Sequence, residues 1–262
     1  MRILLTNDDG IYAKGLSALY SELSSEADCL IVAPEIEQSA VGHAITIFRP
    51  LMVRHATKNG KFLGYAVYGT PADCVKIGIR ELSGAPVDLI VSGINRGANA
   101  GINVIYSGTV SAATEAVIMG VPALAVSLDT HKDADYSFAA QFARKMVRLF
   151  KNNPALRKTA VNVNVPALPR EEIKGVAVVR QGRGSIIEHF EKRVDPRENT
   201  YYWISGEPQA EPEDKDTDVS ALAAGFITVT PIQYDLTRYD LLQTLEAAVA
   251  TLPDHRQMRD QK

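Results

Sequence analysis

The apolar positions of this chain fall into short unbroken runs separated by stretches of helical period. Residues 2–6 (RILLT), 29–33 (CLIVA), 88–92 (DLIVS) and 123–127 (ALAVS) read as strands buried on both faces. Between them, Leu16, Leu19, Tyr20 and Leu23 recur at helical spacing. Pro71 opens a helix through Cys74, Val75 and Ile79, with Thr70 as its N-cap. Residues 107–120 form a helix closed by Gly120, and Ala139, Phe142, Ala143, Met146, Val147 and Phe150 make one apolar helical face. Two further strands are expected over Leu51–Arg54 and Phe62–Val67. The alternation predicts an α/β fold, a mostly parallel sheet with helices on both faces.

Beyond residue 160 the period changes. AVNVNV (160–165) alternates by two, and VAVVR (176–180), IIEHFEKR (186–193) and YYWI (201–204) suggest antiparallel strands or a long hairpin. Residues 207–218 are acidic and proline-containing, and read as an exposed loop. FITVTP (226–231) is a late strand, and Tyr239–Ala250 a terminal helix capped by Thr237, with a frayed tail from Pro253. The expected division is a core over 1–175 and an extension over 176–262 that can pack as one domain with it.

In open parallel sheets, ligands bind beyond the carboxyl ends of the strands. Asp8 and Asp9 follow the first strand, Ser39 lies in the loop after the second, and Asn95 follows DLIVS. Two carboxylates ~4 Å apart repel by roughly 4 kcal/mol at an effective dielectric of ~20. Protonation, a cationic side chain or a metal ion relieves this. No lysine or arginine flanks the pair closely after Arg2, and hard oxygen ligands favour Mg²⁺, Mn²⁺ or Ca²⁺. Gly10 permits the turn that lets both carboxylates reach one ion. The structural alternative is that one of them caps the following helix.

Ser107, Gly108 and Thr109 open a helix whose free amides suit a phosphate, a role compatible with N-capping by Ser107. No G-x-S-x-G elbow surrounds Ser39, so it reads as a neutral oxygen ligand, as does Asn95. Neither a Walker loop nor G-x-G-x-x-G occurs.

Composition narrows the class. The 262 residues are 46% apolar and 23% charged, with a net charge of −3, which speaks against wrapping a nucleic-acid duplex. Cys29 and Cys74 lack metal-ligand spacing and read as buried thiols of a reducing compartment. No run reaches ~18 apolar residues and no leader pattern is evident, so a cytoplasmic protein without a membrane partner is expected.

The motifs ILLTNDDG (3–10), VAPEIEQSAVGHAIT (32–46), GTPADCV (69–75), VSGINRGAN (91–99) and YSGTVSAA (106–113) resemble those of the SurE survival-protein phosphatases. VNVNVP (161–166), RVDPR (193–197), YYWISGEP (201–208) and DTDVSALAAGFITVTPI (216–232) extend the resemblance, which runs from Met1 to about Ala248. Ala40 and Ala44 stand where many members have glycine and serine, and Asn103 where many have aspartate. The resemblance implies a Rossmann-like core with a C-terminal β-hairpin and helix extension used in oligomerisation, as a homodimer or homotetramer. It implies metal-dependent hydrolysis of nucleoside 5′- or 3′-monophosphates, with some members acting on short polyphosphate. It places one divalent ion, Mg²⁺ or Mn²⁺, on Asp8, Asp9, Ser39 and Asn95. The phosphate loop maps to Ser107, Gly108 and Thr109, with Asn7, Gly42, His43 and Asn95 as further substrate contacts.

The expected mechanism is attack by an activated water, with Asp8 or Asp9 as catalytic carboxylates and His43 orienting phosphate or protonating the leaving oxygen. Direct attack by Asp8 is the alternative. The D-x-D spacing of aspartyl-phosphate phosphatases is absent, since position 10 is Gly. A nucleotide-binding module without turnover is the rival class. Tyr201, Tyr202 and Trp203 would form the apolar patch of an interface.

Overall fold

Period-free apolar runs end up in the middle of the sheet because both of their faces are covered. In chain order the elements are β1 (Arg2–Thr6), α1 (Lys14–Leu23), β2 (Asp28–Pro34), β3 (Val53–Lys58), β4 (Lys61–Val67) and α2 (Pro71–Ile77). Then come β5 (Leu89–Arg96), α3 (Asn103–Tyr106), α4 (Gly108–Ile118), β6 (Ala123–Asp129), α5 (Ser137–Asn152) and β7 (Ala160–Pro166). The chain closes with β8 (Val176–Val178), β9 (Ile186–Val194), β10 (Thr200–Pro208), α6 (Asp218–Ala223), β11 (Ile227–Ile232) and α7 (Leu242–Val249). The computed structural model describes residues 1–184, 186–208 and 214–252.

Nine strands form one sheet in the order β3-β4-β2-β1-β5-β6-β7-β11-β8. The run from β4 to β7 is parallel throughout. On one face α1 sends Leu16, Leu19 and Leu23 against Phe142, Met146 and Phe150 of α5. Each fully buried leucine stabilises the fold by roughly 1.5–3 kcal/mol. On the other face α2 contributes Cys74 and Val75, and α4 contributes Val110, Ala112, Ala113 and Ala116. The small residues of α4 let its backbone lie close on the strands. The fold is the expected α/β sandwich with helices on both faces.

Several elements differ from expectation. The strand expected over Leu51–Arg54 begins two residues later and runs to Lys58, antiparallel to β4. Asn59 and Gly60, at φ 53° and 73°, form the two-residue turn that joins them. That Asn-Gly pair is the signal for such a hairpin. Asn95 lies within β5 rather than after it, beyond a register shift between Gly93 and Asn95. β7, which alternates by two, is buried on both faces, because Asn162 and Asn164 serve an internal polar network. VAVVR supplies β8, which is parallel to β11, while β11 is antiparallel to β7. IIEHFEKR and YYWI do form the long hairpin, β9 and β10, a separate two-stranded sheet.

The terminal helix starts at Leu242 after a short 3-10 turn over Tyr239–Leu241, and no side chain caps it. Thr237 is not its cap: its amide instead donates to Asp235, 2.9 Å away, in a preceding turn. Cys29 is half-buried rather than buried, and Cys74 is fully enclosed. Of the expected acidic loop, 209–213 lie outside the described residues, as does the tail from Pro253. Asp214 and Asp216 are exposed and pair with Arg180, but Thr217 and Asp218 are buried. Among the described residues, no helix is long and apolar enough to cross a membrane.

Candidate active site

β1 is the point where the order of strand addition reverses: the chain leaves it toward β2 on one side and later returns on the other side as β5. The crevice beyond the carboxyl ends of those strands is where such sheets bind ligands. Asp8 and Asp9, Ser39 and Asn95 come from β1, β2 and β5 respectively, the three strands that meet there.

Asn7 and Gly10 shape the turn that holds the aspartates. Gly10 takes φ 98°, and the Asn7 side-chain amide donates to its carbonyl at 2.9 Å. Asn7 is fully buried beneath this turn, so it braces the carboxylates from below. Its Oδ1 is buried without a partner. Neither aspartate caps α1, whose N-cap is Ala13 without a side-chain bond.

Asp8 meets a different helix. Its Oδ2 accepts the Thr109 amide at 3.1 Å and its Oδ1 accepts the Thr109 hydroxyl. Gly108 is what permits this approach, since a Cβ there would lie 2.8 Å from the Asp8 Cβ. The Ser107 hydroxyl accepts the Val110 amide at 3.0 Å and caps α4, as the sequence suggested. Thr109 is fully buried, so its amide and hydroxyl serve Asp8 directly.

Burial pushes the Asp8 carboxyl above the ordinary carboxylate range, against the opposing pull of Thr109. Burial, then the charge of Asp8, pushes Asp9 up to about 6. Glu37 adds further negative charge at both. One cation does reach the pair across the sheet: Arg96 lowers Asp9 through its backbone amide and its guanidinium. Nothing adjacent in sequence reveals this, because Arg96 arrives from β5.

The loop after β2 folds back on the turn. The Gln38 amide donates to the Asp8 carbonyl at 2.7 Å. Ser39 is exposed and its hydroxyl donates to Glu37 at 2.6 Å, leaving the oxygen's lone pairs available. The Asn95 side-chain amide donates to the Gly97 carbonyl at 2.8 Å, which fixes its nitrogen and leaves Oδ1 as acceptor.

The segment following Asn95 is pinned from inside the sheet. The Asn99 amide donates to Asn164 at 2.8 Å, its side chain donates to Ser127 at 2.9 Å, and Asn162 donates to its carbonyl at 2.7 Å. The buried Asp218 carboxylate accepts amides of Gly101 and Gly182.

The His43 loop is held at four places. The Gly42 amide donates to the Tyr106 carbonyl at 3.0 Å, and the Thr70 hydroxyl donates to the Ala44 carbonyl at 2.7 Å. Thr46 donates to Asp73 through both amide and hydroxyl, and Asp73 also closes the capping box of α2 with Thr70. His43 Nε2 lies 2.8 Å from Glu115 of α4, whose other oxygen accepts Lys76 at 2.5 Å. Glu115, Lys76 and Glu37 were not singled out by sequence, because their partners are remote along the chain.

The sequence profile described as "Survival protein SurE" matches residues 3–188. The chain is 66% identical over 251 residues to the protein named 5′-nucleotidase SurE of Syntrophus aciditrophicus, covering 95% of this chain and 94% of that one. It is 51% identical to the protein of the same name from Syntrophobacter fumaroxidans, over 94% of this chain and 98% of the other. The crystal structure of the SurE protein from Aquifex aeolicus superposes with a TM-score of 0.81 at 37% identity, covering 95% of this chain and all of that one.

Proposed function

Since this chain belongs to the SurE family, we propose that it is a 5′-nucleotidase that hydrolyses nucleoside monophosphates to nucleoside and phosphate, with Asp8 and Asp9 at the reacting phosphate. The reaction comes from the named relatives. The observation that carries the site is the desolvated carboxylate pair at the sheet's switch point, locked to the start of α4.

The donors fit a divalent cation of the Mg²⁺ or Mn²⁺ class. Among the described residues, no group of three or more His, Cys, Asp or Glu side chains is placed to hold a metal. Two carboxylates completed by the neutral oxygens of Ser39 and Asn95 are what the crevice offers, and hard cations accept that set. The raised carboxyls of Asp8 and Asp9 and the unpartnered Asn7 oxygen behind them mark a place where negative potential lacks compensation. Held by these residues, a cation would neutralise that charge and would supply Lewis-acid chemistry, polarising the phosphoryl group and acidifying water.

The chain's own residues do the rest. Asp8, with both oxygens already engaged by Thr109, is a poor nucleophile, so water attacks phosphorus. Asp9 is less buried than Asp8 and takes the proton that water gives up. Ser107 and the amides at the start of α4 hold phosphoryl oxygens as charge redistributes, with Gly42 and His43 on the facing loop. Thr109 acts through Asp8, and Asn7 through the turn.

The assembly belongs to the same proposal: a homodimer or homotetramer built on the hairpin and α7, in a reducing, cytoplasmic setting that suits two free thiols.

Phosphate release from 5′-AMP, 5′-GMP, 3′-AMP and short polyphosphate, each with Mn²⁺, Mg²⁺ or EDTA, tests the reading. Release from the 5′-nucleotides that EDTA abolishes is expected. Nucleotide binding without turnover under every condition would leave a binding module instead.

A further inference from the structure

Glu115 is a buried carboxylate that the reaction above does not use. It sits on α4 two turns beyond Ser107, with its side chain 5% exposed. Two groups from other segments converge on it: His43 Nε2 at 2.8 Å from the loop after β2, and Lys76 Nζ at 2.5 Å from α2. A buried carboxylate needs such partners, because an unpaired charge there is strongly unfavourable. One cation would suffice for that purpose. Lys76 supplies it, so the second contact, to a histidine, calls for its own explanation.

His43 lies four residues after Ser39, and its neighbour Gly42 is bonded to Tyr106, the residue before Ser107. The imidazole thus belongs to the segment that faces the start of α4. Glu115 takes one ring nitrogen and fixes the plane of the ring, leaving Nδ1 free for a second partner. A carboxylate behind an imidazole is the arrangement that orients a histidine for proton transfer.

We propose that His43 is the general acid of the reaction and that Glu115, backed by Lys76, is its positioning residue. The inference rests on the nucleotidase reading. As water bonds to phosphorus, the bond from phosphorus to the ester oxygen breaks. The Nδ1 proton of protonated His43 passes to that oxygen, and the nucleoside leaves as an alcohol. The water's proton goes to Asp9, and His43 regains its proton from solvent. Nothing is oxidised or reduced.

The test compares 5′-AMP, whose alkoxide needs a proton to leave, with p-nitrophenyl phosphate, whose phenolate does not, both with Mn²⁺. His43 is one-third exposed, so His43→Gln leaves the core intact. His43→Gln is expected to lower kcat on AMP by about 10²-fold or more, at least tenfold beyond its loss on the aryl ester. Glu115→Gln keeps the size of the side chain and is expected to show the same substrate bias, smaller in extent. Equal losses on both substrates, or no loss on AMP, would overturn the role of His43. Bias in His43→Gln without bias in Glu115→Gln would overturn the positioning role of Glu115. A wild-type protein active on neither ester would remove the nucleotidase reading itself, and this inference with it.

Discussion

The crevice at the ends of β1, β2 and β5 and the C-terminal elements β9, β10 and α7 are built on opposite principles. In the crevice the side chains are tied to partners inside the chain: Asp8 with Thr109, Asn99 with Asn162, Asn164 and Ser127, Asp218 with the amides of Gly101 and Gly182, while Asn7 Oδ1 is left unpartnered. On β9, β10 and α7 many apolar groups are exposed. Phe190, Tyr202, Trp203 and Ile204 of the hairpin are each more than half exposed, and among the described residues β9 and β10 pair only with each other. On α7 and just beyond it, Leu242, Leu245, Val249 and Leu252 recur at helical spacing and are all exposed. The unmet demand of the first region is electrostatic. The second has an unmet demand for apolar contact. A small charged ligand would answer the first, and the proposed assembly would answer the second.

The most severe way to test that contrast is to take the charge out of the crevice. Asp8→Asn should lower AMP turnover by at least about 10³-fold. The new amide would also turn an N–H toward the Thr109 donors, at a cost of about 1–3 kcal/mol. Offsetting this, a buried charge disappears, so the melting temperature should stay within a few degrees of wild type. Turnover near wild type would mean that the chemistry lies elsewhere.

How far such an effect could be foreseen from sequence depends on the distance over which each contact acts. The strands RILLT, CLIVA, DLIVS and ALAVS were legible because their apolar runs are local, and the Thr70 cap because its partner Asp73 is three residues away. That Asp8, Asp9, Ser39 and Asn95 belong to neighbouring strands and their loops was legible because parallel topology gathers strand ends. The partner of Asp8 was not foreseen: Thr109 is 101 positions on, and the sequence suggested it for phosphate. Glu115 and Lys76 escaped for the same reason, each meeting His43 or the other only after α2 and α4 pack together. β7 was legible as a strand, but not the role of its asparagines, which serve Asn99 in the interior.

A milder perturbation separates the crevice's demand for charge from its contribution to stability. In the cation-free protein Asp9 holds its proton up to about 6, against 3.8 for an unperturbed carboxyl. Between those two values the folded state binds more protons than the unfolded chain, so stability falls as pH rises through that window. Asp9→Asn removes this effect. In EDTA the variant should melt a few degrees above wild type at pH 7 and close to it at pH 4. Saturating Mn²⁺ should then raise the wild type at pH 7 and leave the variant almost unchanged, because a ligand stabilises only the state that binds it. A wild type more stable than the variant in EDTA at pH 7 would mean that a protein group, Arg96 foremost, already neutralises the pair.

The extension should respond in the reverse sense, with a large change in assembly and a small one in chemistry. Tyr202 and Trp203 are each 58% exposed, on a hairpin that contributes nothing to the nine-stranded sheet. Soluble monomers seldom leave a contiguous apolar surface beyond a few hundred Å² uncovered. Replacing both residues with serine removes aromatic area that the proposed assembly would bury. Light scattering should show the mass of the wild-type oligomer falling, by half or more, while AMP turnover per chain stays within about twofold. Substitutions at exposed positions cost within about 0.5 kcal/mol unless they touch a partner. The fold of each subunit therefore stays intact, and any drop in melting temperature reports the lost interface. If turnover collapsed while the mass held, the hairpin would reach the crevice of its own or a neighbouring chain, and the two regions would be parts of one site.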